Sequence, residues 1–359
     1  MKQICYLVLF CSVSFLPAVA QTDSLRINKI QVIGSHNSYK LPIDPALFKI
    51  FTQTDSVSAS KIDYGHISFT EQLDLGLRNL EIDIYADAKG GKYASPQGLN
   101  WAKNQALFDP GGEMKAPGFK MLHIPDLDFR SNVLTLQSGL TELKEWSKSN
   151  PNHTPVFITL EAKDDTIKRP GLTQPEKFNS QTFDELDRMI VNYLGRENLI
   201  VPEQVKGIHK TLEEAVLQGN WPTLKSARGK FIFVLDAKGE KMRSYSDGHP
   251  SLEGRILFIN ADPGTAEAAI IISNNSKSSQ IPLLVKKGYI VRTRADSDTK
   301  QARENDRSYF DAACNSGAQI ITTDYYQKSK QFKSDYFVSF EGGTYFRMNP
   351  IFKNLSTFK

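Results

Sequence analysis

Eight short runs rich in β-branched and aromatic residues, with helical patterns between several of them, constrain this chain more than any other feature. They cover 29–33, 80–85, 120–123, 156–160, 230–235, 256–259, 289–293 and 318–323, and each has the length and composition of a strand. Apolar residues at helical spacing flank the fourth run: Leu136, Leu140 and Leu143 precede it, and Phe183, Leu186, Ile190 and Tyr193 follow it. Before the eighth run, Ala302, Phe310 and Ala313 predict a helix that stops at Gly317, a residue suited to a left-handed cap. Such alternation builds a parallel sheet covered by helices. Eight strands are the number that closes a barrel. The expected class is therefore α/β, a single (β/α)₈ TIM barrel, distorted or incompletely closed. An open doubly wound sheet is the alternative, but the first run ends in Gly34-Ser35-His36-Asn37 and lacks the glycine-rich dinucleotide turn.

No internal repeat or low-complexity linker interrupts this pattern, so one catalytic domain is expected over residues 21–359. Residues 1–20 read as a secretory signal: Lys2, an apolar run from Ile4 to Leu16, and the small-x-small site Ala18-Val19-Ala20. That run is too short to span about 30 Å of hydrocarbon, and export to the periplasm or the exterior is expected. Cys5 and Cys11 depart with the signal, which leaves Cys314 and no internal disulfide. The net charge of +4 comes from 44 basic and 40 acidic residues spread along the chain. No block of like charge suits a nucleic-acid backbone, and no protein partner is implied.

In a barrel the chemistry sits at the carboxyl ends of the strands, and here those ends are rich in functional groups. The first run delivers His36 and Asn37, the second Glu81 and Asp83, the third His123, and the fourth Glu161 followed by Lys163. The seventh contributes Arg292 and Arg294, and the eighth Asp324 and Tyr325. Glu81 and Asp83 are two apart, so they share one face while Leu80, Ile82 and Ile84 take the other. Two carboxylates on one buried face call for a bound cation or a guanidinium between them. With Asn37 and Glu161 added, the donors are all oxygen, a set that suits Ca²⁺ first and Mg²⁺ second and serves zinc poorly. Two histidines at the same rim supply groups that exchange protons near neutral pH. Lys163, Arg292 and Arg294 are candidates to grip a phosphate; salt bridges from the arginines to Asp296 or Asp298 are the structural alternative.

Taken in order, Gly-Ser-His36-Asn37-Ser, Leu-Glu81-Ile-Asp83, His123 and Ile-Thr-Leu-Glu161 resemble the calcium-dependent phosphoinositide-specific phospholipases C. The resemblance extends to the stretch 68–76, to Arg292-Thr-Arg-Ala-Asp296 and to Thr323-Asp-Tyr-Tyr, and is nearest to the compact secreted bacterial group. It implies a Ca²⁺ held by Asn37, Glu81, Asp83 and Glu161, with His36 and His123 as the catalytic pair and Glu81 or Glu161 as base. It also implies attack by the inositol 2-hydroxyl to give a cyclic inositol phosphate and diacylglycerol, with Tyr325 against the inositol ring. Two other readings stand beside it: a glycerophosphodiester phosphodiesterase, which normally carries His-Arg at His36-Asn37, and a non-catalytic binder of inositol phosphates or glycans. Transient contact with a membrane surface would fall to loops, the segment 99–119 with Trp101, Leu107, Phe108, Met114 and Phe119 being the candidate. The same residues would equally fill a satellite core against the barrel.

Overall fold

Among the described residues ten strands form: β1 (Ile30–Ser35), β2 (Asn79–Asp87), β3 (Gly118–Lys120), β4 (Val156–Ala162), β5 (Phe231–Leu235), β6 (Phe258–Ile259), β7 (Ile270–Ile272), β8 (Ile290–Arg294), β9 (Ile320–Thr323) and β10 (Phe346–Met348). The structure, a computed structural model, describes residues 23–355. The expected signal, residues 1–20 with Cys5 and Cys11, lies outside the described residues. Among the described residues no helix is long and apolar enough to cross a membrane, and Cys314 is an unpaired thiol.

Eight of these strands run parallel in the order β6-β5-β4-β2-β1-β9-β8-β7, and a single parallel bridge, Asn260 to Ile270, brings β6 back to β7. The result is the expected (β/α)₈ barrel with one seam left unsealed. Membership differs from expectation at one place. The run 120–123 is not a barrel stave: β3 pairs antiparallel with the end of β2, Tyr85 opposite Lys120. The eighth stave is β7, a run of three isoleucines between helix-poor loops that is too short to stand out by composition. β10 adds an antiparallel edge to β1.

Burial explains the staves. Leu80, Ile82 and Ile84 on one face of β2 join Ile158 and Leu160 of β4 and Ile232 and Val234 of β5 in the main core, all at most 1% exposed. Each such side chain stabilises the fold by roughly 1.5–3 kcal/mol. The helix Leu136–Ser149 packs Leu136, Leu140 and Leu143 inward, and Ser180–Leu194 does the same with Phe183, Leu186 and Ile190. The helix expected before β9 is two, Lys300–Glu304 and Ser308–Ser316, because Asn305 turns left-handed at φ 53°. Gly317 caps the second at φ 77°.

The helix Phe69–Leu75 is bounded by a reciprocal cap: Glu71 N donates to Ser68 Oγ and Ser68 N donates to Glu71 Oε2. Gly76 ends it at φ 105°, and the chain enters β2 three residues later. Gly34 lets β1 approach β2; a Cβ there would lie 2.4 Å from the backbone oxygen of Asn79. In the 99–119 segment, Met114 and Phe119 are buried and Phe108 stacks edge-on against Phe129 at 4.9 Å. Trp101 and Leu107 stay exposed, so the segment's apolar residues divide between a satellite core and the surface.

Candidate active site

Strand register assembles the carboxylates. β2 and β4 pair so that Asp83 lies opposite Glu161, with Glu81 one alternation earlier on the same face. At the end of β1, Asn37 takes a left-handed turn at φ 49°, a conformation asparagine tolerates better than most residues. Ser38 then locks the turn to β2: its N–H donates to the Glu81 carbonyl, and its Oγ accepts from Glu81 N, both at 2.8 Å. Gln72 holds the same turn from the helix side by donating to the Ser38 carbonyl at 2.7 Å. His36 and Asn37 are thereby set beside Glu81 by a network of buried hydrogen bonds.

Each histidine is oriented by a buried carboxylate. His36 Nδ1 lies 2.8 Å from Asp324 Oδ1, and His123 Nδ1 lies 2.7 Å from Asp128 Oδ2. In both rings this leaves Nε2 turned from the orienting carboxylate; that of His36 is met by Arg294 at 3.3 Å and lies 3.7 Å from Glu81 Oε1. Burial, with Arg294 and Arg292 beside it, holds His36 well below the usual imidazole range, against the opposing pull of Glu81. Arg294 donates to the Asp296 carbonyl at 2.9 Å and reaches Asp324 at 3.3 Å. Asp128 is paired in turn with the fully buried Lys40 at 3.3 Å.

The carboxylate group is electrostatically tense. Burial pushes Asp83 up to about 7, reinforced by Glu161 and Glu81 and opposed by Lys163 and His123. Neither oxygen of Asp83 has a hydrogen-bond partner. Burial disfavours the charged form of Glu161 too, but Lys163, His36 and Lys241 outweigh it and hold that group low. His36 Nε2 at 3.7 Å from Glu81, Asp83 opposite Glu161 and Lys163 bridging the last two set these groups at one strand end, to which Tyr85 ties His123 by donating to its carbonyl at 2.9 Å. The Asn37 amide nitrogen donates to Tyr64 Oη at 2.8 Å, so its oxygen is the atom left for a ligand.

A hard cation fits this donor set: three carboxylates, one amide oxygen, and a buried aspartate with two orphaned oxygens. The cage is not closed, however. Among the described residues no three of His, Cys, Asp and Glu are gathered tightly enough to hold a metal, and the chain's own cations sit on the carboxylates instead. Arg292 hydrogen-bonds Glu81 and Asn274, and Lys163 bridges Glu161 and Asp83.

The other expected ligand groups are distributed unevenly. Arg294 lies at the site on His36 and Asp324, and Arg292 on Glu81, so neither makes the side-chain salt bridge to Asp296 or Asp298 that sequence also allows. The Asp296 carboxylate is engaged by Thr323, Tyr336 and the backbone of Asp324, and burial next to Asp324 pushes it up to about 7. Tyr325 does not face the rim: it is 2% exposed and packs edge-on against Phe332 and Tyr336 in a second core cluster. Its position is a correction to the expectation of a ring against a ligand, since the chain after Asp324 turns this side chain into the core. Asp128, Lys40 and Tyr64 are site residues the sequence reading did not single out. They lie in loops with no periodicity, and only the fold brings Tyr64 to Asn37. His66 supports the turn from behind, its Nε2 lying 2.8 Å from the His36 carbonyl.

With this geometry in hand, comparison with known proteins is decisive for the family. A sequence profile described as Phosphoinositide phospholipase C, Ca2+-dependent matches residues 25–350, and the chain belongs to that family of calcium-dependent enzymes. No curated protein matches at a significant level. Among solved structures, the calcium-dependent phosphoinositol-specific phospholipase C of a Pseudomonas species, in its apo form with myoinositol, is 17% identical, with 92% of this chain and 97% of that one covered at a TM-score of 0.53. The Ca²⁺-dependent phosphatidylinositol-specific enzyme of Streptomyces antibioticus is also 17% identical, covering 84% and 95% at a TM-score of 0.54. At that identity the two structures speak for a shared fold.

Proposed function

We propose that the chain is an exported phosphodiesterase that cleaves phosphatidylinositol-type diesters by internal attack of the inositol 2-hydroxyl, giving a cyclic inositol phosphate and diacylglycerol. The observation that supports it most is the pair of histidines, each set by a buried carboxylate, at one rim with three further carboxylates. Asn37, Glu81, Asp83 and Glu161 are the residues that would hold Ca²⁺. When bound, the ion supplies charge neutralisation at the phosphoryl oxygen and a lowered pKa for the attacking hydroxyl.

The rest of the chemistry belongs to side chains. Glu81 or Glu161 takes the hydroxyl proton as the 2-oxygen bonds to phosphorus. His123, held by Asp128, gives a proton to the diacylglycerol oxygen as its bond to phosphorus breaks. His36, oriented by Asp324, donates from Nε2 to the phosphoryl oxygen once the charge developing there has protonated a ring that burial and the two arginines otherwise hold neutral. Arg294 lies close enough to add a charge-assisted hydrogen bond to the same phosphate. The exposed Trp101 and Leu107 are the apolar groups from the 99–119 segment offered to a membrane surface.

The test is hydrolysis of phosphatidylinositol vesicles by the mature protein with Ca²⁺, with Mg²⁺ and with chelator, beside a His36→Ala control. Calcium-dependent cyclic inositol phosphate that disappears in the variant is the expected result. No product under any condition, with turnover of glycerophosphocholine instead, would refute the proposal in favour of a glycerophosphodiesterase.

A further inference from the structure

Three carboxylates on one rim need balancing charge, and this chain supplies it from two of its own residues. Lys163 leaves β4 just after Glu161. Its backbone N–H is still in register, donating to the Ile84 carbonyl at 2.9 Å. Its Nζ lies 2.9 Å from Glu161 Oε1 and 3.5 Å from Asp83 Oδ2. On the opposite wall Arg292 pairs with Glu81. With all three carboxylates ionised, Glu81, Asp83 and Glu161 against Lys163 and Arg292 leave the group one unit negative. A divalent cation added to that arrangement would make it one unit positive, and withdrawing one resident cation restores neutrality. Like charges crowded at such range repel strongly even at an effective dielectric constant of about 20.

The two resident cations are not equally free to leave. The Arg292 side chain is 2% exposed and is held a second time by Asn274; its planar fork is fixed in place. The Lys163 side chain is 25% exposed, carries a compact charge on a flexible stem, and hydrogen-bonds only to Glu161, the pair to which it can return.

Resting on the reading of Asn37, Glu81, Asp83 and Glu161 as a metal cage, we propose that Lys163 is a resident cation that holds the cage together without metal and is displaced when a divalent cation enters. Calcium entry is then an exchange of one cation for another, and Lys163 sets the concentration at which it happens. Once displaced, the ammonium group swings outward at the rim.

Calorimetric titration of the mature protein with Ca²⁺, without substrate, tests this. Lys163→Met is expected to bind Ca²⁺ at least about tenfold tighter, to melt at a lower temperature in chelator, and to show a larger rise in melting temperature on adding Ca²⁺. Lys163→Arg, which keeps the charge, is expected to remain near the parent. Lys238→Met is the control: Lys238 is 52% exposed and pairs with Asp262 at 2.8 Å, away from the cage carboxylates. Its affinity change should stay within about twofold. If Lys163→Met is not recovered folded, Lys163→Gln is titrated with the same expectation. Unchanged or weaker affinity in the neutral variant overturns the proposal. Absence of Ca²⁺ binding in the parent and all variants alike would overturn the cage reading itself, a different and separable failure.

Discussion

The two histidines of the site are built in opposite ways. His123 is oriented by Asp128, five residues along the chain, within a tight turn in which Asp126 takes φ 67° and Asp128 N donates to the Ile124 carbonyl at 2.9 Å. His36 is oriented by Asp324, 288 residues away, and steadied by Arg294 from a third strand. One dyad is a local turn motif, and the other exists only once the barrel has brought β1, β8 and β9 together. The first is anchored to a buried lysine, the second to an arginine network that reaches the carboxylates. His123 therefore depends on the stability of its loop, and His36 on the closure of the whole fold.

The sharpest test of this contrast is removal of the rings. His36→Ala and His123→Ala should each lower turnover of phosphatidylinositol by about 10² to 10⁴, with far-ultraviolet circular dichroism unchanged. Equal losses with intact folds would show that both dyads serve chemistry despite their different construction. A variant that keeps full activity would remove its histidine from the mechanism.

Next in size are the supporting carboxylates. Asp128→Asn leaves the fully buried Lys40 without its ion-pair partner, and should cost roughly 3 kcal/mol in urea unfolding. Asp324→Asn should cost less stability, because it also relieves repulsion with Asp296, and should reduce activity by disorienting His36. Reversal of that order would break the comparison.

The His36 side should also be the acid-sensitive one. Burial pushes His66, which contacts the His36 carbonyl, down to about 4. The unfolded chain, with an imidazole near 6.5, binds more protons between those values. Stability is therefore complete above about pH 6.5 and falls as pH drops towards 4, by up to roughly 3 kcal/mol. His66→Gln should flatten that part of a urea-midpoint profile against pH; an unaltered profile would assign the acid sensitivity elsewhere. The smallest effect is expected at Gly34→Ala, where the new methyl group meets the Asn79 backbone. Pushing β1 off β2 should cost about 1–3 kcal/mol and weaken the His36 side while the His123 turn, measured by amide exchange, stays protected.

The same contrast explains what could be read in the sequence. The β2 and β4 carboxylates were legible because strand alternation places Glu81 with Asp83, and parallel register places Asp83 opposite Glu161. The number of staves was legible too, but their membership was not. The run 120–123 has strand composition yet serves an antiparallel excursion, while Ile270–Ile272 is short enough to pass for a loop. Asp128, Lys40 and Tyr64 were hidden for another reason. Their roles arise from turns and contacts without a period, and nothing in the spacing of Tyr64 and Asn37 announces that they share a hydrogen bond.

The seam between β6 and β7 deserves to be set against this layout. It is held by one bridge between strands of two and three residues, the thinnest joint in the ring. Counted along the strand order, three pairings separate it from β2 on one side and three from β1 on the other. The strands that carry Glu81 and lead into His36 thus occupy the point of the hoop farthest from its clasp. When the ring breathes, it should open there first, and the motion reaches His36 and Glu81 along three ladders in each direction and, more directly, through Arg294 and Arg292 of β8, one pairing from the seam.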